Sequence, residues 1–120
     1  MNEREKVKWV FLTLTMKNVE GHELKNTMDQ MTKVWNRFSG YAKFKQSVKG
    51  YFRAMEVTRN RKYTSENYGT YHPHFHVILA VNKSYFTSRD YLKQDKWLEM
   101  WRECMDDLSI TQVDIRKVRS

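Results

Sequence analysis

Cysteine is nearly absent. Cys104 stands alone among 120 residues, so no disulfide can form within the chain, and that usage suits a reducing compartment. Proline and glycine are almost as scarce, one and four, which argues against long flexible linkers and for well-packed elements. No repeat, low-complexity tract or composition shift marks a second domain. No apolar run approaches the ~20 residues that span a bilayer, which argues against a membrane partner. Met1-Asn2-Glu3-Arg4-Glu5-Lys6 lacks the apolar core of a signal peptide, so a cytoplasmic location is expected. Acidic residues are outnumbered, 14 Asp and Glu against 22 Lys and Arg, and the net charge of +8 favours a polyanionic partner, nucleic acid before membrane.

What is present suits one globular domain, at ~100–200 residues per domain. Residues 7–15 read as a strand, with Val10, Leu12 and Leu14 on one face and Phe11, Thr13 and Thr15 on the other. From Glu23 the period changes, and Leu24, Met28, Met31, Trp35, Phe38 and Tyr41 form the apolar stripe of a helix. Gly40 is placed to end it, with residues 41–47 as a short second piece. Residues 50–58 alternate as a strand, and a polar segment follows over 59–72. Residues 73–81 form a third strand with Pro73 at its first position, where a missing N–H is tolerated. A second helix is expected over 94–108, with Trp97, Trp101, Met105 and Leu108 on one stripe, and a last strand over 111–118. The order β-α-β-β-α-β predicts an α+β, ferredoxin-like antiparallel sheet with both helices on one face and the other face open.

The chemistry concentrates in Tyr71-His72-Pro73-His74-Phe75-His76-Val77-Ile78-Leu79. Side chains two apart on a strand share a face, ~7 Å apart along it, so His74 and His76 can hold one ion on the open face. A third ligand is expected, and Glu56 lies on the matching face of the preceding strand. Alternation allows it to oppose either His74 or His76. Two imidazoles and a carboxylate suit Mn or another first-row ion, and Mg less naturally. His72 is a further candidate contact, although its place before Pro73 reads as loop.

Four blocks occur in order: Phe11-Leu12-Thr13-Leu14-Thr15, Gly50-Tyr51-Phe52-Arg53-Ala54-Met55-Glu56-Val57-Thr58, the histidine block, and Val113-Asp114-Ile115-Arg116-Lys117-Val118. Together, from about Trp9 to Arg119, the chain resembles the replication initiator (Rep) proteins of rolling-circle plasmids from Gram-positive bacteria. That family belongs to the HUH endonuclease superfamily, named for a His-hydrophobic-His motif. The resemblance implies a fold of this class and metal-dependent, site-specific nicking of single-stranded or hairpin origin DNA. It implies Mn2+ or Mg2+ held by Glu56, His74 and His76. It also implies a tyrosine nucleophile that keeps the 5′ phosphate and releases a 3′ hydroxyl. The family's tyrosine motif follows the strand matching 113–118, and no tyrosine follows Tyr91 here. The nucleophile is therefore expected beyond Ser120, with residues 1–120 as one catalytic domain of a longer protein. Tyr85 and Tyr91 are in-chain candidates that match no family motif.

Arg59, Arg61 and Lys62, before the histidines, and Arg116 on the outward face of the last strand are the candidate phosphate contacts. Alternation turns Arg53 toward the helices. The stripes Trp35/Phe38/Tyr41 and Trp97/Trp101 read as core, as do the helix methionines, and Cys104 as a buried small hydrophobe. Two rival functions fit part of the pattern. A histidine-triad nucleotide hydrolase would use His74 as nucleophile without metal, although Pro73 interrupts that motif. A non-catalytic single-strand nucleic-acid-binding module would share the layout but need no metal. Two histidines and a carboxylate also form the facial triad of iron oxygenases, which nothing else here supports. Oligomeric state is open, a homodimer included.

Overall fold

An alternating strand, β1 (Val7–Thr15), opens the computed structural model, which describes residues 7–89 and 91–118. The segment 1–6 considered for a signal sequence, and Arg119, lie outside the described residues. Val10, Leu12 and Leu14 of β1 are buried, and Trp9, Phe11, Thr13 and Thr15 occupy the opposite face. Helix α1 (Gly21–Phe38) follows, and the Glu20 N–H donates to the Glu23 carboxylate across its first turn. Its stripe buries Met31, Trp35 and Phe38. The chain breaks at Ser39 and Gly40 and re-forms as the short α2 (Ala42–Ser47), as the sequence predicts.

Strands β2 (Val48–Arg59) and β3 (Tyr71–Asn82) pair as a long hairpin. A 3-10 turn at Tyr85–Thr87, helix α3 (Gln94–Met105) and β4 (Val113–Lys117) complete the order. The sheet is wholly antiparallel in the order β2-β3-β1-β4, the expected ferredoxin-like α+β arrangement. Phe75, Val77, Leu79 and Val81 of β3 are buried under the helices. The Phe75 ring meets Trp35 at 5.8 Å and Trp101 at 6.2 Å between centroids. Trp101 Nε1 also donates to the Thr15 carbonyl at 2.8 Å, tying α3 to the end of β1. Arg53 lies on this covered side, its guanidinium over the rings of Phe75 and Trp35.

Four expectations need correction. The second helix stops at Met105, not 108, because Asp106 takes a left-handed conformation (φ 53°) that closes the last turn. Leu108 thereby leaves the stripe and is 79% exposed. The third strand starts at Tyr71, not Pro73, so His72 is a strand residue paired with Thr58 rather than a loop residue. Pro73 is its third residue. It is tolerated there because β1 ends opposite His74, leaving Pro73 a ladder partner, Val57, on one side only. The strand expected over 111–118 is confined to Val113–Lys117, and β2 is longer than the expected 50–58.

Candidate metal centre

The register of the hairpin decides what Glu56 meets. Sequence alternation left two partners open, and the ladder sets Glu56 directly opposite His74. His76 lies two residues along the same face of β3. The three side chains converge: His74 Nε2 stands 2.8 Å from Glu56 Oε1, His76 Nε2 3.1 Å from the same oxygen, and the two ring nitrogens 3.0 Å apart. His74 is buried, whereas His76 and Glu56 are exposed. The triangle is walled on the β3 side and open to solvent above.

The donor set fits a divalent cation on geometric grounds. Ligand atoms ~2.1 Å from a cation stand ~3.0 Å apart at right angles and ~3.4 Å apart at tetrahedral angles. The observed edges of 2.8, 3.0 and 3.1 Å bring the three donor atoms close enough together for one ion to be held by Glu56, His74 and His76. Protonation agrees with this. His74 Nδ1 donates to the His72 carbonyl at 3.2 Å, so the ring is held with Nε2 as the nitrogen turned to the triangle. The hydrogen bonds from His76 and then His74 hold the Glu56 carboxyl below its ordinary pKa, so it is present as carboxylate. The ring of His72 is not among the donors. Its role is through its backbone carbonyl, and burial disfavours its charged form.

The remaining site candidates are dispersed. Arg59 ends β2 with its guanidinium over the Tyr71 ring, and Arg61 and Lys62 stand exposed in the hairpin loop beyond it. Arg116 lies on the open face of β4, opposite Phe11 and ion-paired with Asp114 at 2.9 Å. Thr13 and Thr15 share that face, opposite His76 and His74. Tyr85 is buried, donating its hydroxyl to the Leu92 carbonyl and accepting the Leu92 N–H. It follows the far end of β3, eight residues or ~26 Å of strand from His74, and Tyr91 packs on its ring. Neither Tyr85 nor Tyr91 serves the donor triangle.

The sequence points to aromatics on the open face as a single-strand platform without singling out which residues form it. Trp9, Phe11 and Phe52 are 45, 48 and 69% exposed. Ladder pairing aligns Phe52, Ile78, Phe11 and Arg116 in one row across the sheet, two residues along from the row of Ala54, His76, Thr13 and Asp114. A shallow depression of about 370 Å³ spans these two rows. The signal was in the sequence: β1 alternation set Phe11 outward.

A family model described as Replication protein matches residues 1–120. A protein named Protein rep from Staphylococcus aureus is 40% identical over 120 residues, covering 99% of this chain and 50% of the relative. Another of that name from Bacillus amyloliquefaciens is 42% identical over 111 residues, 92% of this chain and 31% of the relative. One from Streptococcus pneumoniae is 39% identical, over 99% of this chain and 36% of the relative. The chain thus spans between about a third and a half of the length of these relatives.

Proposed function

The chain belongs to the Rep family of replication proteins, and from that premise we propose that it is the metal- and DNA-binding domain, over residues 1–120, of a rolling-circle plasmid replication initiator that nicks one strand of origin DNA. The observation that carries the reading is the convergence of Glu56, His74 and His76 donor atoms within 3.1 Å of one another on an uncovered sheet face. A histidine-triad hydrolase would need a histidine nitrogen free to attack phosphate. Here His74 Nε2 faces a carboxylate and a second imidazole instead.

Glu56, His74 and His76 would hold Mn2+ or Mg2+, which supplies Lewis-acid polarisation of the scissile phosphate. The His72 carbonyl holds the His74 ring with Nε2 turned to the triangle, and the rigid β2–β3 ladder holds all three donors before substrate arrives. The aromatic row gives bases of a single strand a surface to lie on, and Arg116, with Arg59, Arg61 and Lys62, gives its phosphates countercharge. The Tyr85 hydroxyl is committed to Leu92 and is not available as the nucleophile. The nucleophile is read as a tyrosine of the longer initiator, as the family resemblance implies. Its oxygen forms the new bond to phosphorus, the P–O3′ bond breaks, and the departing 3′ oxygen takes a proton to become the primer hydroxyl. A soluble, cytoplasmic setting fits this role; among the described residues no helix is long and apolar enough to cross a membrane.

Manganese titration by calorimetry tests the reading. One site is expected, weakened at least tenfold (~1.4 kcal/mol) in Glu56→Ala and in His76→Ala. Unchanged affinity in both variants would remove the metal reading. Failure of the longer initiator to form a covalent adduct with single-stranded origin DNA would remove the nickase reading.

A further inference from the structure

The β2–β3 hairpin reaches past the end of β1. Beyond the Thr15–His74 pair, three further pairs (Val57–Pro73, Thr58–His72, Arg59–Tyr71) carry it ~10 Å past the metal-centre row at ~3.3 Å per residue. The loop at its tip is held by its own bonds. Asn60 N–H donates to Thr70 O and Gly69 N–H to Asn60 O, both at 2.8 Å. The Asn60 side chain accepts the Lys62 N–H at 2.9 Å and donates to Ser65 Oγ at 3.2 Å, and Ser65 Oγ accepts the Asn67 N–H. Gly69 closes the loop at φ 81°, where a side chain would be strained.

On this braced tip stands an aromatic pair with no core beneath it. The ring of Tyr63 lies 4.9 Å from that of Tyr68, tilted 31°, and Tyr63 is 84% exposed. One face of Tyr63 rests on Tyr68 and the other meets water. The same loop carries Arg61 and Lys62, with Arg59 at its base, against one carboxylate, Glu66. Among the described residues, no ion pair engages Arg61 or Lys62. A rigid aromatic face left in water costs solubility without adding stability, and flanking unpaired cations match a polyanion that carries flat rings.

We propose that the hairpin tip is a second nucleic-acid contact, in which the open face of Tyr63 stacks on an unpaired base while Arg61 and Lys62 engage the adjoining phosphates. This rests on the reading that the chain handles single-stranded DNA, and deepens it by placing a base-reading contact outside the metal centre. Stacking needs a base freed from its duplex, so the tip favours single strands or the unpaired bases of a hairpin over continuous duplex.

The test is fluorescence anisotropy with labelled single-stranded oligonucleotides, matched duplexes and a series in which one abasic site is walked along the strand, all without metal. Tyr63→Ala is expected to bind the single strand about tenfold more weakly, the size of one base–aromatic stack, while Tyr63→Phe binds like the parent. One abasic position should weaken the parent by a similar factor and leave Tyr63→Ala indifferent. Melting temperature and manganese affinity should stay unchanged in both variants. Parent-like binding by Tyr63→Ala, or equal losses on single strand and duplex, overturns the tip assignment and leaves the initiator reading standing. No single-strand binding by the parent overturns both. Loss of self-association in Tyr63→Ala, with DNA binding intact, would make the tip an interface between copies and also overturn the proposal.

Discussion

Adjacent residues of β3 have opposite fates. Phe75, Val77, Leu79 and Val81 are sealed beneath the helices, whereas His74, His76, Ile78 and Ala80 belong to the face without a helix layer. The covered side is a close aromatic lattice, with Trp35, Phe38, Phe44, Trp97 and Trp101 in mutual ring contact. The open side puts the Glu56–His74–His76 cluster, which could hold a metal ion, beside an aromatic row. The difference teaches that one strand supports stability and chemistry together because its side chains alternate. Substitutions one residue apart should therefore fail in different assays.

The largest effect should come from the covered side. Trp101→Ala removes a fully buried indole and its bond to the Thr15 carbonyl, and is expected to cost about 3–5 kcal/mol in denaturant unfolding. A loss below about 1 kcal/mol would mean the lattice is not the stabilising layer. Next, His76→Ala should reduce manganese affinity at least tenfold, as above, while unfolding stability in the absence of metal shifts by no more than about 0.5 kcal/mol. A large stability loss there would blur the division between faces. Phe52→Ala sharpens the contrast within the open side: at 69% exposure its stability cost should be within about 0.5 kcal/mol, but single-strand affinity should fall about fivefold or more if bases lie on that row. Arg116→Ala should flatten the salt dependence of DNA binding by about one unit of slope, measured by titrations across ionic strengths. The smallest effect belongs to neither face. Lys25→Ala breaks an exposed i,i+4 pair with Asp29 on α1, should lower thermal unfolding only marginally because both charges are solvated, and should leave metal and DNA binding alone.

The readable parts of the fold were those governed by local period. The two-residue alternation of β1 and the three-to-four spacing from Met31 to Phe38 specify buried faces without reference to any other segment. His74 and His76 were legible for the same reason, being two apart on a strand. Where a non-local contact decided the outcome, reading faltered. Leu108 kept the helical spacing, yet the left-handed Asp106 turned the chain away first. His72 read as loop because Pro73 suggested a strand start, yet Tyr71 pairs with Arg59 on one side and with Val19 on the other. The Tyr63–Tyr68 pair depends on a loop folded through Asn60 and Ser65, which no periodicity announces.

From the amino-acid order alone came the element types, their α+β succession, the inward and outward side of each strand, and the pairing of His74 and His76 on one face with Glu56 on the matching face of the preceding strand. Those follow from backbone geometry repeating every two or 3.6 residues, a property each segment carries within itself. Only the assembled sheet decided that Glu56 faces His74 rather than His76, that Phe11, Phe52 and Arg116 share a row, and that the hairpin outruns β1. Register and strand order depend on which distant backbone groups satisfy one another and how the core packs between them, and alternation is blind to a slip of two residues.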